Sequence, residues 1–352
     1  MVNGANLEPM WKDSFDGLMD KYGSTINHYH RVDLHRTLRE MAQESSGAAK
    51  GKPATIRLAT KVREVDVGDG VIGFDDGTSV RKDLVVIADG IKSRFVSYIT
   101  GQDEPLVRNG RSVYRCLVPF NEINKEARLR EIFQRQAPGF WVPFTPTSAT
   151  YVVTYPCHSN SVLNVALIHP SLPHQISSPD SWHEPATIEN ALEAVKAHHT
   201  TIHELIAKTP DVRAHTLFRR EPLSRLTRGK AVLVGDAAHI LQPTHAQGGT
   251  MAVEEGVVLE ILFSGLSDRR QVLRRLEAYN ELLSKRVQLT QYLSDSLPGR
   301  GDIARRKAES LALETGDDLP ADDSMQFSEP WRDFFYRRDV MQDAEDAVKG
   351  MI

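Results

Sequence analysis

The sequence predicts a mixed α/β (α+β) fold, and three observations carry that expectation. Two short continuous apolar runs, Leu84–Ala88 and Ala231–Val234, suit strands buried on both faces, as in a parallel sheet. Residues 106–169 hold four further β signals, Val113–Pro119, Phe140–Phe144, Thr150–Tyr155 and Val162–His169. Helical spacing governs residues 187–208 and a long charged stretch from about 268 to 296.

The remaining elements follow in chain order. Residues 24–44 read as a strand-like entry and then a helix, with Val32, Leu34, Leu38 and Met41 as its apolar stripe and Asp33 near its start. Ile56, Leu58, Val62, Val65 and Val67 alternate as strands do. Turns at Gly68-Asp69-Gly70 and Asp75-Asp76-Gly77-Thr78 then frame Val71-Ile72-Gly73-Phe74 as a β-meander. A Ser/Pro-rich stretch, 170–186, is a loop. Ile188, Leu192, Val195, Ile202, Leu205 and Ile206 line one amphipathic helix over 187–208. A helix of small and apolar residues occupies 249–263. An acidic loop, Glu314–Asp323, leads to an aromatic segment, Trp331–Tyr336.

A chain of 352 residues makes one large domain or two ordinary ones. Its net charge of −4, with Lys and Arg spread throughout, argues against nucleic acid or an anionic membrane as partner. Two cysteines form no disulfide framework and fit a reducing compartment. The first residues hold no secretory apolar core, and no stretch is long enough to span a bilayer. A cytoplasmic protein is the expectation.

Two motifs mislead. Gly68-Asp69-Gly70-Val71-Ile72-Gly73 matches G-x-G-x-x-G, which signals dinucleotide binding only between a strand and a helix. Here a second turn arrives too soon for a helix, so a hairpin is expected. His199 and His203 lie four apart but lack the glutamate of an H-E-x-x-H site. They read as solvated surface residues, and no metal site is expected.

The chemistry-bearing constellation is Gly235-Asp236-Ala237-Ala238-His239, Pro243 and Gln247-Gly248-Gly249. A buried strand delivers Asp236 at its C-terminal end, where ligands bind in open α/β sheets. An ionised carboxylate there accepts hydrogen bonds from sugar-like hydroxyls. Gly248 and Gly249 let a planar ring approach the backbone, and the helix they open offers free N–H groups and partial positive charge. The residues alone leave a second reading open, a plain strand–turn–helix with an Asp cap. Asp83–Arg94 repeats the theme: a buried strand ends in Asp89-Gly90, with Lys92 and Arg94 placed to face phosphates. A strand–turn with exposed basic residues remains the alternative.

Together these segments resemble two motifs of the class A FAD-dependent aromatic monooxygenases, the salicylate hydroxylase-like and p-hydroxybenzoate hydroxylase-like enzymes. Gly235–His239 with Pro243 and Gln247-Gly248 resembles the "GD" motif. Asp83–Arg94 resembles the "DG" motif, which serves FAD and NAD(P)H together. Arg31 with Leu34 resembles the family's Arg-x-x-Leu segment, whose Arg contacts FAD. Tyr114-Arg115, Tyr155-Pro156 and Asn164 resemble strands of its substrate sheet, and the likeness runs from about residue 28 to about 345. Glu254-Glu255 stands where the family has Glu-Asp.

The resemblance implies an incomplete FAD-binding Rossmann-like three-layer domain with an inserted antiparallel-sheet substrate domain. Its parts are 1–105, FAD-binding; 106–215, the substrate sheet; 216–300, the second FAD-binding part; and 301–352, a helical tail. It further implies FAD bound by Arg31, Asp89, Gly90, Asp236, Pro243, Gln247, Gly248 and Gly249, with NAD(P)H and O2 as co-substrates. The substrate is an aromatic or polyketide-like small molecule, in secondary metabolism or aromatic catabolism. Tyr114, Arg115, Phe140, Trp141 and Tyr155 are candidate substrate contacts. No general base is identified; His239 and His245 suit structural roles. The family's opening G-x-G-x-x-G unit is not in the sequence. Two readings follow, a truncated gene model of an active enzyme or a genuine short form binding FAD poorly, and the intact downstream motifs favour the first. The alternatives in function are a non-catalytic remnant and an FAD oxidoreductase that inserts no oxygen.

Overall fold

The computed structural model describes residues 1–44, 52–134, 139–145, 148–171, 184–296 and 302–351. Most of the expected loop over 170–186 lies outside them. The chain forms two compact units, one of residues 1–56 and 108–217, the other of 57–107 and 218–352. The expected divisions at 105/106 and 215/216 lie two residues from the boundaries at 107/108 and 217/218. Residues 1–56, however, group with the sheet unit, and 302–351 with the other.

The first unit is built on a seven-stranded sheet. Its strands lie in the order Val2–Asn3, Pro143–Thr145, Thr150–Cys157, Val162–Pro170, Val107–Pro119, Val212–Arg219, Glu184–Pro185. The centre is antiparallel, with Arg115 opposite Ala166, Leu117 opposite Asn164, and Tyr155 opposite Asn164. Alternation decides the faces. Tyr114, Cys116, Val118, Val152, Leu163, Val165 and Leu167 pack with Leu129, Val195, Ile202, Leu205 and Ile206 of the covering helices. Both cysteines are buried and unbonded. Burial pushes the Cys116 thiol up to about 12, and it raises that of Cys157.

Three expectations in this unit need correction. The single helix over 187–208 is two, Ile188–Ala194 and Thr200–Ala207. His199 interrupts it by accepting the Thr201 N–H at Nδ1 as the cap of the second helix. His199 and His203 are also not solvated surface residues. Both are half-buried, and His203 Nε2 donates to the Val195 carbonyl at 2.8 Å. The helix expected within 24–44 spans Arg31–Gln43, but none of its residues is buried, and the lead-in is not a strand. Val32 and Met41 are 54% and 57% exposed, because no other described element covers that stripe.

The second unit holds two small sheets packed among helices. In one, Ala231–Leu233 pairs parallel with Val85–Ile87, residue for residue, and antiparallel with Thr227–Arg228. Ala231–Leu233 is buried throughout, as its composition implied. Val85–Ile87 is the sheet's edge, and Val86 is 45% exposed, so burial on both faces fails for the Leu84–Ala88 run. The other sheet is the meander Val62–Asp66, Val71–Phe74, Ser79–Arg81. It starts later than the alternation suggested, and Leu58 is 82% exposed. The glycine-rich decoy is its first turn. Asp66 accepts the N–H groups of Gly68 and Asp69, and Gly70 has φ 71, where a Cβ would meet the Lys82 carbonyl oxygen at 2.1 Å.

Helices Gln247–Phe263, Val272–Asp295 and Val340–Lys349 bury their apolar sides against the parallel strands. A smaller core joins the end of the long helix to Ile303–Thr315 and to Trp331 and Phe335 of Glu329–Tyr336.

Candidate functional site

In the second unit, parallel pairing of Val85–Ile87 with Ala231–Leu233 brings their C-terminal ends to one sheet edge. Asp89-Gly90 follows the first strand and Gly235-Asp236 the second. Both glycines are left-handed, at φ 84 and 57, which lets each chain turn sharply away from its strand. Asp89 and Asp236 are exposed, and neither makes a hydrogen bond among the described residues. The Asp236 carboxyl sits above the usual carboxylate range. Desolvation by the surrounding turn is the main cause, with Glu255 adding to it and His239 opposing.

The turn carrying Asp236 is held from beneath. Glu255, fully buried, accepts the Gly235 N–H at 2.6 Å and meets His239 Nε2 at 3.0 Å. It belongs to the buried stripe Gln247, Met251, Glu255, Val258, Leu262, which is apolar apart from Gln247 and Glu255 itself. Glu254 faces elsewhere, accepting two hydrogen bonds from the Arg286 guanidinium, both at 3.1 Å. Arg220 ties the two turns together, donating to the Ile91 carbonyl at 3.2 Å and the Ala237 carbonyl at 3.4 Å. Burial lowers its pKa, while Glu104 and Asp89 raise it.

Between Asp236 and the glycine-initiated helix, residues 242–244 are pinned to the end of the long helix. The Gln242 N–H donates to Ser294 Oγ at 3.1 Å, and Thr244 Oγ1 donates to the Ser294 carbonyl at 3.1 Å. Pro243 lies half-buried between them. Gln247 is buried and its amide donates to the His245 carbonyl, so its side chain serves the loop. No side chain caps the helix. A Cβ at Gly249 would meet nothing within 4 Å, and one at Gly248 only Leu241, at 4.0 Å. His239 and His245 are both buried. Burial drives His245 down to about 3, and it packs at 4.3 Å from the Trp331 ring.

In the first unit the candidate residues divide by sheet face. Tyr114 is buried in the core and stacks on His169, and Trp141 packs against that core and Phe133. Arg115 and Tyr155 lie on the other face. Tyr155 stacks on His28 at 4.9 Å, and Phe140 meets both rings edge-on. The amide nitrogen of buried Asn164, paired across from both Leu117 and Tyr155, has no hydrogen-bond partner. Arg31 is exposed at the first position of its helix.

Arg220 and His28 were not singled out from the sequence, and Glu255 was named only as half of the Glu254-Glu255 pair, with no role. Glu255 had a signal, a carboxylate at a core position of an apolar helix. Arg220 had none, because its partners are carbonyls distant in the chain.

A family model described as an FAD binding domain matches residues 13–290. The FAD-dependent monooxygenase cfoG of Aspergillus candidus is 32% identical over 286 residues, covering 80% of this chain; the chain spans 65% of that protein's length. Hispidin-3-hydroxylase of Neonothopanus nambi is 27% identical, covering 76% of this chain and 65% of its own. Among solved structures, HpxO of Klebsiella pneumoniae complexed with FAD and uric acid superposes with a TM-score of 0.68 at 20% identity, over 89% of this chain and 73% of HpxO. A salicylate hydroxylase substrate complex gives 0.66 at 20% identity, over 91% and 75%.

Proposed function

The chain belongs to the FAD binding domain family, and from that premise we propose that it is a monooxygenase hydroxylating an aromatic or polyketide-like small molecule with NAD(P)H and O2. One observation carries the reading. A carboxylate without a hydrogen-bond partner among the described residues, Asp236, shares its loop with a helix N-terminus that no described side chain caps and whose first turn is bare backbone at Gly248-Gly249. That combination fits a cofactor with a hydroxylated chain and a flat ring that gains negative charge.

The flavin supplies hydride acceptance and oxygen activation; this chain's residues bind, orient and set charge. Asp236 accepts hydrogen bonds from the ribityl hydroxyls. The N–H groups and partial positive charge at Gln247–Gly249 hold negative charge at the ring edge. Pro243, fixed through its neighbours to Ser294, keeps that wall in place. Asp89, Gly90 and Arg31 are proposed as further cofactor contacts. On the sheet, Tyr155, Phe140 and His28 form an aromatic group that suits a ring substrate, with Arg115 as a cation on the same face. Substrates of the relatives, a hispidin among them, support the aromatic class.

A flavin-binding protein without oxygen insertion is the second reading. Purified protein titrated with FAD, then given NAD(P)H, isotopically labelled O2 and a panel of phenols, separates the two. Label in the product supports hydroxylation. NAD(P)H oxidation yielding only hydrogen peroxide across the panel supports the second reading, and failure to retain flavin defeats both.

A further inference from the structure

A side-chain cluster in the first unit has no part in the flavin reading, although Arg31 lies between two of its members in the chain. His30, Asp33 and His158 each offer one ligand atom, and these atoms lie within 4.8 Å of one another. His30 and Asp33 come from the start of the Arg31–Gln43 helix. His158 comes from the turn joining Thr150–Cys157 to Val162–Pro170, 125 residues further along the chain from Asp33. No spacing motif announces such a set.

The three side chains are already drawn together, and a bound ion would replace the direct contact between Asp33 and His158. The Nδ1 atoms of both histidines converge on the same oxygen, Asp33 Oδ2. His158 Nδ1 hydrogen-bonds to it, and His30 Nδ1 lies at 3.4 Å. One lone-pair region thus receives two imidazole nitrogens. His30 Nδ1 is buried and has no hydrogen-bond partner, although it sits at the capping position of a helix. The other carboxylate oxygen, Oδ1, accepts from the Arg36 guanidinium at 3.2 Å. A ligating carboxylate is typically itself held by an outer hydrogen bond, and Arg36 supplies one here. His158 is half-exposed, so water has access to the remaining positions.

We propose that His30, Asp33 and His158 form a three-ligand site for a divalent first-row transition metal. Two imidazoles and one carboxylate suit Zn2+ and its neighbours, and they do not suit the oxygen-rich preferences of Ca2+ or Mg2+. The site is open, leaving at least one position for water or for an oxygen donor on a small molecule. The positive end of the helix and Arg36 oppose a dication, and the Asp33 carboxylate offsets them. The competing account is an ion pair alone, in which a protonated histidine ties the turn to the helix. It explains one nitrogen on Oδ2 and leaves the other without a role.

Zn2+ titration of the purified full chain by calorimetry, at a pH above histidine titration, tests this. Co2+ absorption gives a second readout, because its intensity reports coordination geometry. The expected result is one ion per chain. His158→Gln, His30→Gln and Asp33→Asn each weaken binding at least about tenfold. His158→Gln sits on an exposed turn and keeps the fold intact, as circular dichroism would verify. Equal Zn2+ binding by the parent and by a His30→Gln/Asp33→Asn/His158→Gln variant, or no binding by the parent, overturns the proposal. Neither readout requires flavin, so the result stands independently of the proposed activity.

Discussion

Glu255, fully buried, takes the backbone N–H of Gly235 at 2.6 Å and so fixes the turn that presents Asp236. The carboxylate also engages His239, which leaves that histidine a structural part of the turn. Replacing Glu255 by Ala strands both partners in the core. We expect a loss of about 1–3 kcal/mol in urea unfolding, the magnitude typical of leaving buried hydrogen-bonding groups without their partner. A loss under about 0.5 kcal/mol would show that the turn holds itself.

Asp236 has no such framework role. Its carboxyl pKa is raised in the folded chain, chiefly by desolvation. The sign follows: its stabilising contribution is complete below the ordinary aspartate pKa and is lost as pH rises through the folded value. Asp236→Asn is therefore expected to be as stable as the parent at pH 7 or slightly more so, while FAD binding weakens at least tenfold, about 1.4 kcal/mol. Unchanged affinity would remove Asp236 from the cofactor site.

Gly249 tests the bare helix start with effects of opposite sign. Its backbone is helical and a Cβ there meets nothing within 4 Å. Gly249→Ala should stabilise the flavin-free protein by up to about 1 kcal/mol through helix propensity. The added methyl lies where a planar ring would rest, so FAD affinity falls. Thermal unfolding with and without FAD reads both, and a gain in both measurements would contradict the proposed placement.

Arg220 joins the two turns through the carbonyls of Ile91 and Ala237. Arg220→Met keeps much of the apolar stem and leaves both carbonyls without their donor. A stability loss of about 1–3 kcal/mol is expected in denaturant melts. Arg220→Lys should recover only part of it, since one ammonium reproduces the two-carbonyl geometry poorly. Full recovery by Lys would reduce the residue to a simple charge.

Asp295 provides a pH signature. Burial pushes its carboxyl up to about 6, with Arg219 opposing. The raised value places its stabilising effect below the ordinary aspartate range, and that effect disappears as pH climbs through about 6. Asp295→Asn should match the parent near pH 4 and exceed it at pH 8 in urea midpoint. Parallel pH profiles would refute this.

Much of this architecture was legible in order and type. Ala231–Val234, Asp236 and Gly248-Gly249 announced a strand, a turn and a helix because each depends on short-range chemistry. The hairpin at Gly68–Gly73 was legible for the same reason. What escaped depended on tertiary partners. The break at His199 rests on one side chain capping a backbone that an apolar pattern alone would continue. The exposure of Val86 and of the Arg31–Gln43 stripe depends on which neighbours a strand or helix acquires, which periodicity does not encode. Tyr114 and Trp141 were candidate ligand contacts that each read more readily as core; strand alternation turns Tyr114 inward, and Trp141 packs against the same core, while Arg115 and Tyr155 face the other way.

The two buried thiols, Cys116 and Cys157, lie in adjoining regions of one sheet and nowhere else in the chain. Reagents attack thiolates, and neither sulfur is accessible or ionised while that sheet is closed. Alkylation rate is therefore a built-in clock for opening of the first unit. It runs without any engineered label and reports nothing of the second unit, which has no cysteine. Combined with flavin fluorescence it would time the two halves of the molecule separately in one sample.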